Sequence, residues 1–385
     1  MIRLGLGATV LANSGATLDG IGVMVDRLQH HLGDQQSLSV QPWVFPASAL
    51  RGGRSALRAD ASRPYAYFPR SFKISLLQSL LLKRSMPGAA QVSAQVDLFH
   101  SLDYLIPRLP QTPVVATLHD AIPIMAPHWV NPRLRRIKNA LFLRTVPWAD
   151  HVLALSAAMV PDLVRYLGVN EHKISVVHPG VDQQYFTAPA PEQLHQVLQH
   201  YRLRPGYVLS VGTLQPRKNF ARLIRAHRAL PLALRREHPL VIVGQAGWQH
   251  QDILREIKQM QAEGQGHWLQ FVPQRDLYAL YRAAQVFAFP SLYEGFGLPV
   301  LEAFASAVPV ITSTVSALPE AAGDAALLVN PESEGELTEA LRTVLGDSGY
   351  AEQLRQRGLD RARQLSWERC AAATVAVYRR VVAQA

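Results

Sequence analysis

Short runs of β-branched and apolar residues alternate along this chain with stretches whose apolar positions recur at helical spacing, the pattern of βα units wound around parallel sheets. Two such series are expected. In the first half, strands are predicted at residues 2–6, 113–118, 151–156 and 173–177; in the second, at 207–211, 240–244, 267–272, 286–289 and 308–311. Each half therefore reads as a complete Rossmann-type domain. The segment Thr187-Ala188-Pro189-Ala190-Pro191 breaks the periodicity between them, which predicts domains at 1–187 and 188–366. Residues 367–385 read as an amphipathic helix with Ala, Val and Tyr378 on one side and Arg379 and Arg380 on the other.

No apolar run approaches the roughly 18 residues of a membrane span. The run 76–82 is broken by Gln78 and Ser79 and ends at Lys83 and Arg84. The apolar start of the chain carries one Arg and is rich in Gly, which suits a first buried strand better than a signal peptide. At 385 residues, 48% hydrophobic and 18% charged, the chain is long enough for two cores and too apolar to be disordered. A single cysteine, Cys370, rules out an intrachain disulfide, and the expected compartment is the cytoplasm.

Charge changes the picture through its placement. The net +10 is concentrated in the first half: Arg51, Arg54, Arg58, Arg63, Arg70, Lys73, Lys83 and Arg84 face one acid, Asp60, and Arg133, Arg135, Arg136, Lys138 and Arg144 follow with no acid between residues 131 and 149. A negative surface or polymer is the expected partner of that half. The 51–84 stretch also carries Tyr65, Tyr67, Phe68, Phe72, Ile74 and the leucines of 76–82, which suits the inner face of an anionic membrane; a solvated loop followed by a core helix accounts for the same text. A basic nucleic-acid-binding protein would also use this charge. No recognition motif is present, and the aromatics do not interleave with the bases, so no nucleic acid is expected.

Chemistry gathers at predicted strand ends. After 286–289 comes Pro290-Ser291-Leu292-Tyr293-Glu294-Gly295-Phe296-Gly297-Leu298-Pro299-Val300-Leu301-Glu302, in which Gly295, Gly297 and Leu298 offer amides at a helix start, and Glu294 and Glu302 suit hydroxyls. A Gly-rich loop with solvated acids is the plain alternative. After 207–211 comes Gly212-Thr213-Leu214-Gln215-Pro216-Arg217-Lys218-Asn219, with the two bases expected to open a helix at 221–230. Cations oppose the dipole there, so an anion between them is implied; a solvated basic turn is the alternative. Thr117-Leu118-His119-Asp120 ends the strand 113–118, where open α/β sheets bind ligands, although a lone His is as readily structural. Asp19-Gly20-Ile21-Gly22 forms a turn after the first strand that could bring backbone close to a ligand. A dinucleotide fingerprint, a phosphate-binding GxxxxGK[ST] loop, a GxSxG elbow, HExxH and Asp-x-Asp are all missing, so no hydride cofactor and no carboxylate-held metal is expected.

In this order, the glycine turn, His-Asp, Gly-x4-Arg-Lys-Asn and Glu-Gly-Phe-Gly-Leu-Pro-x2-Glu resemble the retaining, GT-B-type glycosyltransferases of family 4. The resemblance spans nearly the whole chain, with His178-Pro179-Gly180-Val181-Asp182 and Phe271-Val272-Pro273 in register. It implies two Rossmann-like domains facing a central cleft, the second holding a sugar nucleotide and the first an acceptor. By that resemblance Arg217 and Lys218, next to Gly212, hold the diphosphate; Glu294 binds the donor sugar, with the amides of Gly295, Phe296, Gly297 and Leu298 around it; and Glu302 binds ribose. His119 touches the transferred sugar and Gly20 to Gly22 close over the phosphates. The catalytic set is then His119, Arg217, Lys218 and Glu294, with no cofactor and no metal. The text is most similar to bacterial mannosyl- or rhamnosyltransferases of polysaccharide assembly, which favours a GDP-sugar over a UDP-sugar and a lipid-linked saccharide acceptor. A GT-B-type sugar-nucleotide epimerase would share the phosphate grip.

Overall fold

The structure, a computed structural model, describes residues 1–13, 20–46, 65–82, 84–130 and 132–385. Asp19, Arg51, Arg54, Arg58, Asp60, Arg63 and Lys83 lie outside these residues.

The first sheet contains β1 (Ile2–Gly7), β2 (Leu38–Val44), β3 (Ala66–Tyr67), β4 (Leu98–Ser101), β5 (Val114–Leu118), β6 (His151–Ala154) and β7 (Ile174–Val176), in the order β3-β2-β1-β4-β5-β6-β7. The second contains β8 (Tyr207–Val211), β9 (Leu240–Val243), β10 (Gly266–Leu269), β11 (Ala284–Phe289), β12 (Val310–Ser313) and β13 (Ala326–Val329), in the order β10-β9-β8-β11-β12-β13. Every pairing is parallel. Strands covered on both faces must be apolar throughout, and β5, β9 and β12 are buried at every position. The expected pair of Rossmann-like α/β domains is present. In each sheet the strand order reverses once, at β1/β4 and at β8/β11, and such reversals open a crevice at the strands' carboxyl ends.

Contacts divide the described residues into two units. One takes its residues from Met1–Pro127, Pro132–Pro179 and Trp367–Ala385; the other holds Gly180–Ser366 and a short stretch from His128. Just past the change of unit, the Val181 amide donates to Leu365 O at 3.0 Å, and Val181 bridges Ser366. The Pro/Ala segment leads into the helix Pro191–His200, with Pro191 in its first turn. The predicted terminal helix is Trp367–Gln384, and it packs on the helix Gly20–Gly33. Its buried Tyr378 hydroxyl meets His100 Nδ1 at 2.6 Å, and His100 Nε2 meets Thr117 Oγ1 at 2.8 Å. Burial, reinforced by His119, pushes the His100 imidazole down to about 3, so it works as a neutral hydrogen-bonding link.

Several expectations are corrected. Gly20 and Gly22 lie in the first turn of the helix Gly20–Gly33, where a loop was expected. The helix after β8 is Phe220–Arg228, and the two bases do not open it: Pro216–Lys218 form a separate 3-10 turn, ended by Asn219 at φ 63°. Asn219 holds that conformation because its Nδ2 donates to Pro290 O at 3.0 Å and Pro331 O at 2.7 Å. Strands β2, β3, β4 and β13 were not anticipated.

Candidate functional site

Arg217, Lys218 and Glu294 converge at the β8/β11 reversal. Arg217 follows β8 and Glu294 follows β11, and the two loops are tied by Leu292 N donating to Arg217 O at 2.7 Å. Arg217 Nη1 donates to Glu294 Oε2 at 2.8 Å and to Tyr293 O at 3.0 Å. Lys218 Nζ pairs with Glu294 Oε1 at 2.7 Å and stands over the Phe289 ring, 4.6 Å from its centroid. From the β12 side, Ser316 Oγ accepts the Glu294 amide at 3.0 Å.

Gly212 is at φ +155°, a backbone conformation that favours glycine, and it lies against the Lys218 stem. Gly297 caps the helix Leu298–Ala305 at φ 115°, where a Cβ would come within 2.9 Å of Leu318. The backbone of Gly295, Phe296, Gly297 and Leu298 thus leads into a helix N-terminus beside the charged trio, with the Phe296 side chain buried.

The three charges sit in little solvent: Arg217 is 20% exposed, Lys218 and Glu294 10% each. For Glu294, burial acts upward, but Arg217 and Lys218 overcome it and hold the carboxyl at about 2. Burial brings the Lys218 ammonium down to about 8, with Glu294 working against that fall and Arg217 adding to it. At neutral pH the trio is two cations and one anion, and its single surplus positive charge suits an anionic ligand.

Glu302 belongs to a different contact set. On the helix Leu298–Ala305, its Oε2 accepts from Tyr281 at 2.8 Å, and its carboxyl also accepts from Tyr185. Tyr185 in turn accepts from Gln274 Nε2 at 2.7 Å and packs edge-on against Tyr278 and Tyr281, at 4.5 and 5.5 Å between centroids. Burial raises the Glu302 carboxyl to about 7 against the downward pull of the two hydroxyls, and Asp182 adds to the rise. Sequence reading missed this tyrosine group, whose members are separated by almost a hundred positions.

In the first unit, His119 follows β5, is 6% exposed and donates from Nε2 to Leu102 O at 2.7 Å. Tyr104 packs edge-on to it at 5.9 Å and reaches Asp120 Oδ1 at 3.4 Å. Asp103, also missed, lies beside them at the end of β4 with its Oδ1 accepting from Leu105 N at 3.0 Å. Burial lifts its carboxyl to about 6. Among the described residues, no group of three or more His, Cys, Asp or Glu is placed to hold a metal ion.

Comparison with known proteins agrees with this architecture. Residues 18–185 match the sequence model of the family described as Glycosyltransferase Family 4, and residues 198–361 match that of Glycosyl transferases group 1. The chain is 33% identical over 285 residues to O-antigen chain mannosyltransferase B of Escherichia coli, covering 73% of this chain and 74% of that one. It is 27% identical over 263 residues to the serotype-specific mannosyltransferase WbdA of Escherichia coli, covering 66% of this chain but spanning only 32% of that longer protein. Among solved structures, Anabaena Alr3699/HepE in complex with UDP and glucose superposes with a TM-score of 0.74 at 19% identity, over 98% of this chain and 100% of that one. With two parallel-sheet units, a charged trio at a strand-order reversal and a relative of this identity and coverage, the chain belongs to family 4 of the glycosyltransferases and has the GT-B fold.

Proposed function

We propose that this glycosyltransferase moves a mannosyl or deoxyhexosyl group, with retention of anomeric configuration and without a metal, from a GDP-sugar to a growing lipid-linked saccharide at the inner face of a membrane. The observation that carries the reading is the convergence of Arg217 and Lys218 on Glu294 at the β8/β11 reversal, where a diphosphate and its sugar can be held side by side. The bond from the anomeric carbon to the phosphate oxygen breaks, and a bond to the acceptor oxygen forms on the same face. The acceptor's proton passes to a phosphate oxygen and leaves with the nucleoside diphosphate. Arg217 and Lys218 stabilise the charge that develops on that diphosphate. Glu294 turns from the two cations to the sugar hydroxyls, and the amides from Gly295 to Leu298 line the phosphate side.

The relatives named as mannosyltransferases support a mannosyl group as the cargo, and the UDP held by the HepE structure keeps UDP in the comparison with GDP. A thermal-shift series with GDP, UDP, dTDP and their sugars is the test. A ligand at about 100 times its dissociation constant stabilises by about 2.7 kcal/mol, and the largest shift is expected with GDP. A product of inverted configuration by NMR would overturn the retaining assignment.

Activity is expected to survive EDTA, changing by less than about twofold, because the two bases supply the positive charge that a metal contributes elsewhere. Complete loss, restored by a divalent cation, would remove that part of the reading.

For Glu302 we infer a ribose-binding role in which the diol replaces a tyrosine hydroxyl as donor. Ionised carboxylate accepts hydroxyls and protonated carboxyl does so poorly. With the group near 7, nucleotide affinity should therefore fall as pH drops from 8 to 6. Glu302→Gln should weaken nucleoside diphosphate about tenfold at pH 8, as the loss of a charge-assisted hydrogen bond predicts. The variant should also show a shallower pH slope than the parent. Equal slopes by calorimetry would disprove the assignment, since the phosphate's own titration is common to both proteins.

A further inference from the structure

The helix Phe72–Leu82 is built inside out. Its inward positions are Ser75, Leu76 and Ser79, which are 0%, 4% and 1% exposed, whereas Ile74, Leu77, Leu81 and Leu82 are 46%, 57%, 72% and 63% exposed. Ile74, Leu77 and Leu81 recur at helical spacing and form one stripe, opposite the serines. Ser79 Oγ donates to Arg84 O at 2.6 Å, while the buried Ser71 and Ser75 hydroxyls have no hydrogen-bond partner. The helix thus buries hydroxyls and turns leucines outward, the reverse of what water favours. The feature is local: of the twelve large apolar side chains exposed among the described residues, five, counting Tyr67, fall between residues 67 and 82.

The rim of the stripe has one sign. Arg70, Lys73 and Arg84 are exposed around it, and the sequence has no Asp or Glu between residues 61 and 96. A second copy of the chain would bring a matching set of cations against this one. An apolar stripe bordered by bases is complementary to an anionic lipid leaflet, which takes leucines below its headgroups and lysine and arginine at their level. Among the described residues no helix is long and apolar enough to span a membrane.

We propose that the outward face of the Phe72–Leu82 helix, Ile74, Leu77 and Leu81 with the Arg70, Lys73 and Arg84 rim, inserts into an anionic lipid surface. The proposal deepens the membrane placement proposed above and names the side chains that make it.

The test is co-sedimentation of the full chain with vesicles of phosphatidylcholine containing one-third phosphatidylglycerol, against pure phosphatidylcholine, at low and high salt. The parent should bind the anionic vesicles, with the bound fraction falling severalfold in neutral vesicles or high salt. Replacing the stripe by Ile74→Ser, Leu77→Ser and Leu81→Ser keeps every cation and should lower partitioning at least tenfold. Replacing the rim by Arg70→Gln, Lys73→Gln and Arg84→Gln should abolish the preference for anionic vesicles. As a depth readout, Leu77→Trp should shift its emission to the blue on anionic vesicles. A parent that stays in the supernatant at low salt, or a serine variant that partitions like the parent, overturns the proposal. So does a parent dimer that the serine changes dissociate, which would make the stripe an interface between copies. Donor hydrolysis in the absence of vesicles is read in parallel and should be unchanged in all variants. Turnover without vesicle binding removes this surface and leaves the transferase reading, and binding without turnover does the reverse.

Discussion

Arg217→Ala and Lys218→Ala are each expected to slow transfer about a hundredfold at saturating donor, since each removes one of two cations aimed at the departing diphosphate from a site shielded from water. The effect should lie in turnover more than in KM, because the charge on the leaving oxygen is greatest in the transition state. The double variant should cost less than the product of the two, because both bases also neutralise the same Glu294 carboxylate and are coupled through it. Thermal unfolding of the single variants separates a lost leaving-group contact from a lost fold. Full turnover in either variant would remove that residue from the proposed mechanism.

Glu294→Gln is expected to split two measurements that usually move together. Turnover should fall about a hundredfold, for want of an anionic partner for the sugar hydroxyls. Nucleoside diphosphate binding should hold or tighten, because the carboxylate now lies 2.8 Å from Arg217 and 2.7 Å from Lys218, where a phosphate must compete with it. The gain should be clearest below pH 7. Without Glu294 nothing offsets the burial that already lowers the Lys218 ammonium to about 8, so in the variant the lysine loses its proton at a lower pH than in the parent. Calorimetry of parent and variant at pH 6.5 settles this, and parallel losses of affinity and turnover would show that Glu294 does not compete for the cations.

Both halves of the charged trio were legible in the sequence as strand-turn-helix text, but their contact was not. Arg217 and Glu294 are 77 positions apart, and they meet because β8 and β11 are neighbours across the point where strand order reverses. That adjacency depends on the whole sheet. The overlooked strands have local reasons: β3 is two residues long, β2 contains Pro42, and β4 ends in His100 and Ser101, polar residues that look like a turn until Tyr378 supplies the partner for His100. Two consecutive bases suggested a helix start, and only the backbone of Asn219, turned to positive φ by two carbonyls from distant loops, separates them from it. The leucines of 76–82 were legible as a membrane face or as a core helix, but spacing alone could not divide inward Leu76 from outward Ile74, Leu77, Leu81 and Leu82, because which side of a helix faces the core is decided by its neighbours.

The return of the chain to its first unit has a consequence for synthesis. Residues 180–366 form one unbroken segment and contain all the strands of the second sheet, so this unit can close as soon as it leaves the ribosome. The first unit, although translated earlier, lacks the helix Trp367–Gln384 until the end. Until then His100 has no Tyr378, Ser175 has no Arg380, and the helix Gly20–Gly33, which also meets β2, lacks its packing against the last helix. The nascent first unit therefore waits through nearly two hundred residues of elongation for the helix that completes its packing, and its native contacts close only after those of the second unit can.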